Sequence, residues 1–446
     1  MRSIRSEFLA SNDGEEWEDK HAKFVWTRYA TIVLGIWLLV NIPTFGINNE
    51  QMAWSDAISG LCLIVFGLFS LSAKNIWAPW ATCLIGIWLQ LAPLIFWSPL
   101  AFNYLNDTLT GVIAIALSIL IPGTPGMVED AGPETPSGWS YNPSAWVQRL
   151  PIILLTCVCW FISRYMAAFQ LGYIQSIWDP VFGDGTLNVI TSSVSKAFPV
   201  SDAGLGAAVY TIEALMGAKG GTRRWRTMPW IVALFGLFVI PAGLVSIILI
   251  MMQPLLVGSW CFWCLLTAAC MLCMIALTID EVIATIQYLR ESTRQGHALG
   301  AIFWKGGPAL ENSEFDHQSP SPAEPNLNFF KGCFRGVTLT WNLILSLILG
   351  IWLLFHTGPY YIAVSIGHIL GALSITFSII AMAEVMKTAR FANIVLGVFA
   401  ILLPFIMHAP PPVTWKAIIV GILLIVLNLS KGKIKENYGS WQQSIR

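Results

Sequence analysis

Charge is scarce in this chain. Of 446 residues only 25 are Lys or Arg and 25 are Asp or Glu, cancelling to zero net charge, while 56% are hydrophobic. That balance excludes an ordinary soluble protein, and the lack of any basic run excludes a nucleic-acid surface. The first 26 residues are polar and carry Glu15, Glu16, Glu18 and Asp19, unlike the basic start of a cleavable signal peptide. The six histidines show no ligand spacing, and neither a phosphate-binding glycine loop nor a Ser-His-Asp arrangement occurs, so no metal site is expected. The nine cysteines lie mostly in apolar segments and form no secreted-type disulfide framework.

What remains is apolar segments. Crossing a bilayer takes about 20 apolar residues, and on that measure the sequence predicts an all-α, polytopic membrane protein of about 12 transmembrane helices. The spans fall near 27–45, 55–73, 77–97, 104–122, 150–173, 200–218, 228–252, 257–279, 337–356, 361–383, 391–408 and 413–430. Two polar stretches, 123–149 and 291–334, separate them into groups of four. The second contains Gly306-Gly307-Pro308 and Ser319-Pro320-Ser321-Pro322, a composition expected of a mobile connection. Residues 1–26 and 432–446 are polar ends. Lys and Arg gather in alternate connections, at Arg149, Arg223, Arg224, Arg226, Arg290, Lys387 and Lys431 among others, whereas the opposite set holds Lys196, with Lys416 just inside the last span. Cytoplasmic connections carry the positive excess, so both termini are expected in the cytoplasm.

An internal repeat frames the chain. Leu34-Gly35-Ile36-Trp37-Leu38 recurs as Ile85-Gly86-Ile87-Trp88-Leu89, again as Leu349-Gly350-Ile351-Trp352-Leu353, and is echoed by Leu396-Gly397-Val398-Phe399. Each phrase is followed by a second apolar helix with a glycine, at Gly60, Gly111, Gly371 and Gly421. These units resemble the SPW repeat of bacterial integral membrane proteins. The resemblance implies two four-span modules, 27–122 and 335–431, flanking a central four-helix bundle, 150–290, in a bacterial inner (plasma) membrane. The glycines read as close helix contacts, either packing a scaffold or lining a lipid site.

Within the bundle stands Trp260-Cys261-Phe262-Trp263-Cys264 at the expected start of a helix. Two thiols at that spacing can close a disulfide, hold half a metal site or fill apolar space. Unpaired N–H groups at a helix start favour thiolate, which makes redox chemistry the first expectation. Disulfide exchange needs an accessible thiol, and the sulfur three residues on lies about 4.5 Å deeper along the helix. Cys270 and Cys273 repeat the spacing, but at about 100° per residue the four sulfurs fan out around the helix and cannot share one metal. They read as packing, as do Cys157 and Cys159. Arg164 and Glu213 differ in depth by about 13 Å and are not expected to pair.

The order of the block, from Ser201-Asp202-Ala203-Gly204-Leu205-Gly206 through Tyr210 to a basic turn at Arg224-Trp225 and then the cysteine pair, resembles the vitamin K epoxide reductase family. The resemblance implies a membrane thiol-disulfide oxidoreductase. Cys261 would exchange disulfides with an extracytoplasmic, thioredoxin-like thiol protein, and Cys264 would pass electrons to a membrane quinone of ubiquinone or menaquinone type. Asp202 and Tyr210 become candidate quinone-binding residues, although Asp202 reads equally as a helix N-cap. Members typically carry another cysteine pair in the loop corresponding to 174–200, where this chain has none; Thr186 stands roughly at the second position. Ala268 stands where the family often has Tyr. A non-catalytic scaffold or sensor that kept the fold is the alternative, and a small-molecule transporter a weaker one.

Overall fold

The computed structural model describes residues 18–19, 21–47, 49–120, 132–310, 329–356 and 361–445. Most of the acidic start, the first part of the 123–149 stretch and the Ser-Pro repeat of the 291–334 stretch lie outside the described residues. Helices dominate. The α-helices of six residues or more are, in order, α1 Trp26–Phe45, α2 Glu50–Ser70, α3 Trp77–Ile95, α4 Ala101–Ile115, α5 Trp146–Gln170, α6 Gly185–Ile190, α7 Asp202–Ala218, α8 Pro229–Met252, α9 Phe262–Arg294, α10 Leu299–Lys305, α11 Trp341–Phe355, α12 Tyr361–Met382, α13 Arg390–Ile406 and α14 Pro411–Leu429. Setting aside the short α6 and α10, these correspond one to one with the twelve expected spans. Nine candidate spans among the described residues are long and apolar enough to cross a membrane, whereas α4, α7 and α11 have 15, 17 and 15 residues. The protein is an all-α, multi-pass membrane protein.

The repeat phrases become helix pairs. α1 packs on α2, α3 on α4, α11 on α12 and α13 on α14. Each pair crosses glycine to glycine: Gly35 meets Gly60, Gly86 meets Gly111, Gly350 meets Gly371 and Gly397 meets Gly421. A Cβ added to Gly35 would lie 2.5 Å from the Gly60 carbonyl, so the backbone approach itself requires glycine. Between the pairs, α5 packs on α7 and α8 on α9, with α3 touching α7 on one side and α12 touching α8 and α9 on the other. The core between them is built from Val232, Phe235, Val239, Met271, Met274 and Ile275, all fully or almost fully buried.

The polar connections are less loose than their composition predicts. α9 runs past the expected end at 279 to Arg294 because its polar residues find partners. Arg224 clamps Glu281 through two contacts of 2.6 Å, with both side chains buried. Ser144 adds a hydroxyl to the same carboxylate at 2.5 Å, and Tyr141 donates to Asp280. Residues 132–145, expected to be linker, therefore pack as structure, and α5 begins at Trp146. The polar tail returns to the same place. Tyr438 is fully buried, donates to Glu384 at 3.0 Å and meets Trp139 edge-on; Arg335 pairs with Glu436 at 2.9 Å. The described start of the second connection also docks, with Arg226 reaching the Gly307 carbonyl and Tyr288 that of Pro308. Burying this many polar groups is tolerable only because they pair.

Candidate functional site

The cysteine pair lies at the end of α9 opposite this network, about 27 Å away by helical rise. The sulfurs of Cys261 and Cys264 are joined in a disulfide. Cys261 is the N-cap of α9, and its sulfur accepts the Cys264 N–H at 3.1 Å. Gln253 supports it from below, its Oε1 accepting the Cys261 N–H at 3.0 Å. Once the bond opens, the Cys264 N–H at the helix start is placed to favour negative charge on the Cys261 sulfur.

Accessibility differs from the expectation. Cys261 is 0% exposed, whereas Cys264 is half-buried. The covering element is the segment from Trp178 through α6. Asp179 organises it: one carboxylate oxygen accepts the N–H groups of Val181 and Phe182, at 2.9 and 2.7 Å. The other accepts the Thr186 N–H and hydroxyl and, across to α9, the Phe262 N–H at 3.1 Å. Burial works against this charge, but the donors from Phe182, Thr186, Val181 and Phe262 outweigh it and hold the carboxyl below its ordinary value. Thr186 is thereby pressed against the disulfide, its hydroxyl 3.6 Å from the Cys261 sulfur. Gly185 packs directly on the Trp260 carbonyl, where a Cβ would clash. Trp263 Nε1 donates to the Trp178 carbonyl at 2.7 Å, and Asn188 donates to Ser259 at 3.2 Å. The cap closes over Cys261 because a single buried carboxylate gathers its turn.

Cys264 faces the other way. It lines a cavity of 290 Å³ between α5, α7, α8 and α9 whose wall includes Met166, Asp202, Tyr210, Ser246 and Gln253. Three of the four sequence candidates, Cys264, Asp202 and Tyr210, thus meet around one cavity, and Cys261 stands outside it. Asp202 is not the N-cap: Ser201 is, accepting the Gly204 N–H at 2.9 Å. Asp202 is instead the first helical residue and accepts a hydrogen bond from Gln170. Ala268 is buried in the bundle core. Asp179 and Gln253 escaped the sequence reading. Asp179 had a signal, since Asp-Pro opening a stretch with Gly183 and Gly185 is turn chemistry; Gln253 had none.

The remaining candidates are dispersed. Cys270 is buried and Cys273 exposed, on different faces of α9. Arg164 donates to Thr108 at 2.9 Å and lies over the ring of Tyr104, joining α5 to α4. Glu213 is fully buried and has no hydrogen-bond partner among the described residues.

Comparison with known proteins places this geometry. Residues 150–279 match the family described as Vitamin K epoxide reductase family, and residues 25–121 match the SPW repeat domain. No curated protein and no solved structure matches the chain. The central match supports a membrane thiol-disulfide oxidoreductase as the general class of activity.

Proposed function

We propose, from a chain that carries a vitamin K epoxide reductase family domain behind an SPW repeat domain, that the protein oxidises an extracytoplasmic dithiol and reduces a membrane quinone through Cys261 and Cys264. The observation that carries this reading is the division of one disulfide between two surroundings. Cys261 lies under the cap and Cys264 lines the cavity.

The cavity suits a quinone head. Its 290 Å³ is near the lower end of small-molecule sites, roughly 300–1,000 Å³, enough for a ring whose tail continues into lipid. Asp202, Tyr210, Ser246 and Gln253 are among the polar groups that line the cavity beside apolar residues such as Met166, Val209 and Leu249. A bound quinone supplies a sink for two electrons and two protons.

On the thiol side the electron count runs through the sulfurs. A donor thiolate attacks Cys261, forming a donor–Cys261 bond and releasing Cys264 as thiolate. The donor's second thiol then attacks its own sulfur in that mixed disulfide, leaving as a disulfide and freeing Cys261. Two electrons now rest on the pair, and re-forming the Cys261–Cys264 bond returns them to the acceptor. The net change is dithiol plus quinone to disulfide plus hydroquinone. The chain carries no cysteine in 174–200, so the donor must reach Cys261 itself, and the cap has to open for it. The pattern of Lys and Arg supports both termini in the cytoplasm and the pair on the outer side; a bacterial plasma membrane is what the resemblance to the SPW repeat implies.

The test is turnover of the purified full chain with dithiothreitol and a short-chain soluble quinone. Both are consumed by the wild type, and Cys264→Ser reduces the rate to background. A wild type that consumes neither would sink the proposal. The complete burial of Cys261 favours one second reading, a static disulfide in a scaffold. Thiol trapping in membranes separates the two, because a working pair becomes reduced on quinone depletion and a static one stays oxidised.

A further inference from the structure

The second repeat module carries a feature that the redox reading does not use. In the first module the residues four positions before Gly60 and Gly111 are Asp56 and Asp107. Both are completely buried. The corresponding positions before Gly371 and Gly421 hold Gly367 and Ala417. Where the first module is filled by two acids, the second has almost no side chain.

Gly367 and Ala417 line a cavity of 630 Å³ enclosed by α11, α12, α13 and α14. There is room at its wall, since a Cβ on Gly367 would come no nearer than 3.6 Å to any neighbour, the Leu353 carbonyl. Leu353, Leu370, Leu403 and Val420 make the interior aliphatic. Among the described residues the ionisable side chains lining it are His356, His408 and Lys416, with no carboxylate. His408 and Lys416 are exposed, and His356 is half-buried.

His408 holds a left-handed backbone, φ 50°, unusual for a residue other than glycine. Trp97 holds the same conformation, φ 46°, at the matching turn of the first module, four residues after Pro93 as His408 is four after Pro404. The turn therefore belongs to the module, and the imidazole is what the second copy adds. Trp97 is tied by its indole to the Pro199 carbonyl, whereas His408 stands at the cavity.

We propose that this cavity binds an anionic phospholipid, with an acyl chain between the helices and the phosphate against Lys416, His408 and His356. Chain burial alone discriminates little, because the chain exchanges one hydrocarbon surrounding for another. Selection has to come from the head, and a basic cluster with no opposing acid supplies it. Lys416 has the reach to place its ammonium at the headgroup level while its stem follows the helix. The site lies at the end of the module that touches the disulfide region, where Trp260 packs on Phe355 and His368.

Native mass spectrometry of the full chain tests this, after incubation with an equimolar mixture of phosphatidylglycerol and phosphatidylcholine. The wild type retains phosphatidylglycerol preferentially, and Lys416→Glu lowers that preference by about fivefold or more, while Lys416→Arg keeps it. Ala417→Phe, which fills the cavity, lowers retention of both lipids. Soluble glycerol phosphate in excess leaves the bound lipid in place. Equal retention of the two lipids by the wild type, or retention unchanged in both Lys416→Glu and Ala417→Phe, overturns the proposal. Displacement by glycerol phosphate also overturns it, by showing that a soluble phosphate rather than a membrane lipid is recognised.

Discussion

The start of α9 and its Asp280-Glu281 stretch midway along are both polar and both buried, yet they are built on opposite plans. At the Asp280-Glu281 stretch several partners converge: Arg224 arrives from one segment, Ser144 and Tyr141 from another, and the tail adds Tyr438 nearby. At the Cys261 end one carboxylate, Asp179, holds a short cap by donors that come mostly from the cap's own backbone and from one N–H of α9. A many-partner network fixes a structure, whereas a single gathered turn can open without unfolding anything else. The difference assigns rigidity to one stretch and access to the other.

Breaking the rigid stretch should have the largest effect. Glu281→Gln leaves Arg224 buried without its counter-charge, a loss of about 3–5 kcal/mol, read as aggregation at lower temperature in thermal denaturation of the detergent-purified chain. Arg224→Met combined with Glu281→Leu should recover most of that loss; no recovery would mean that the pair does more than neutralise itself. Asp179→Asn comes next. It removes charge-assisted hydrogen bonds each worth about 1.5–3 kcal/mol, and reduction of the disulfide by a water-soluble phosphine should accelerate about tenfold with little change in thermal stability. An unchanged reduction rate would dissolve the contrast between the two.

The smallest effect is in pH. Because the Asp179 carboxyl is held below its ordinary 3.8, its contribution to the closed cap is complete above that value and lost as pH falls through the lowered one. Phosphine reduction of the wild type should therefore accelerate only below about 3.8, and Asp179→Asn should show no such rise. Acceleration beginning near neutrality would point to a different group.

Much of this was legible in the residues. Nine of the spans could be read because apolar length is the main requirement for crossing a bilayer, and the glycine pairs because a repeated phrase predicts repeated crossings. Cys264, Asp202 and Tyr210, singled out by the family resemblance, line one cavity. The closed cap was not legible, because burial of Cys261 depends on where a polar loop of ordinary composition folds back. The same holds for the polar connections. Trp139 and Tyr141 lie far from Tyr438 in sequence, and nothing local says that their rings will meet edge-on. Ser201 took the N-cap from Asp202 by one residue, a boundary that only the backbone turn decides.

The orientation of the disulfide has a regiochemical consequence. A nucleophile arriving through the cavity meets Cys264, and one arriving past the displaced Thr186 meets Cys261. The sulfur that carries a trapped adduct therefore records the direction of approach. A panel of thiol probes graded by size and polarity would map both entrances without any knowledge of the natural partner.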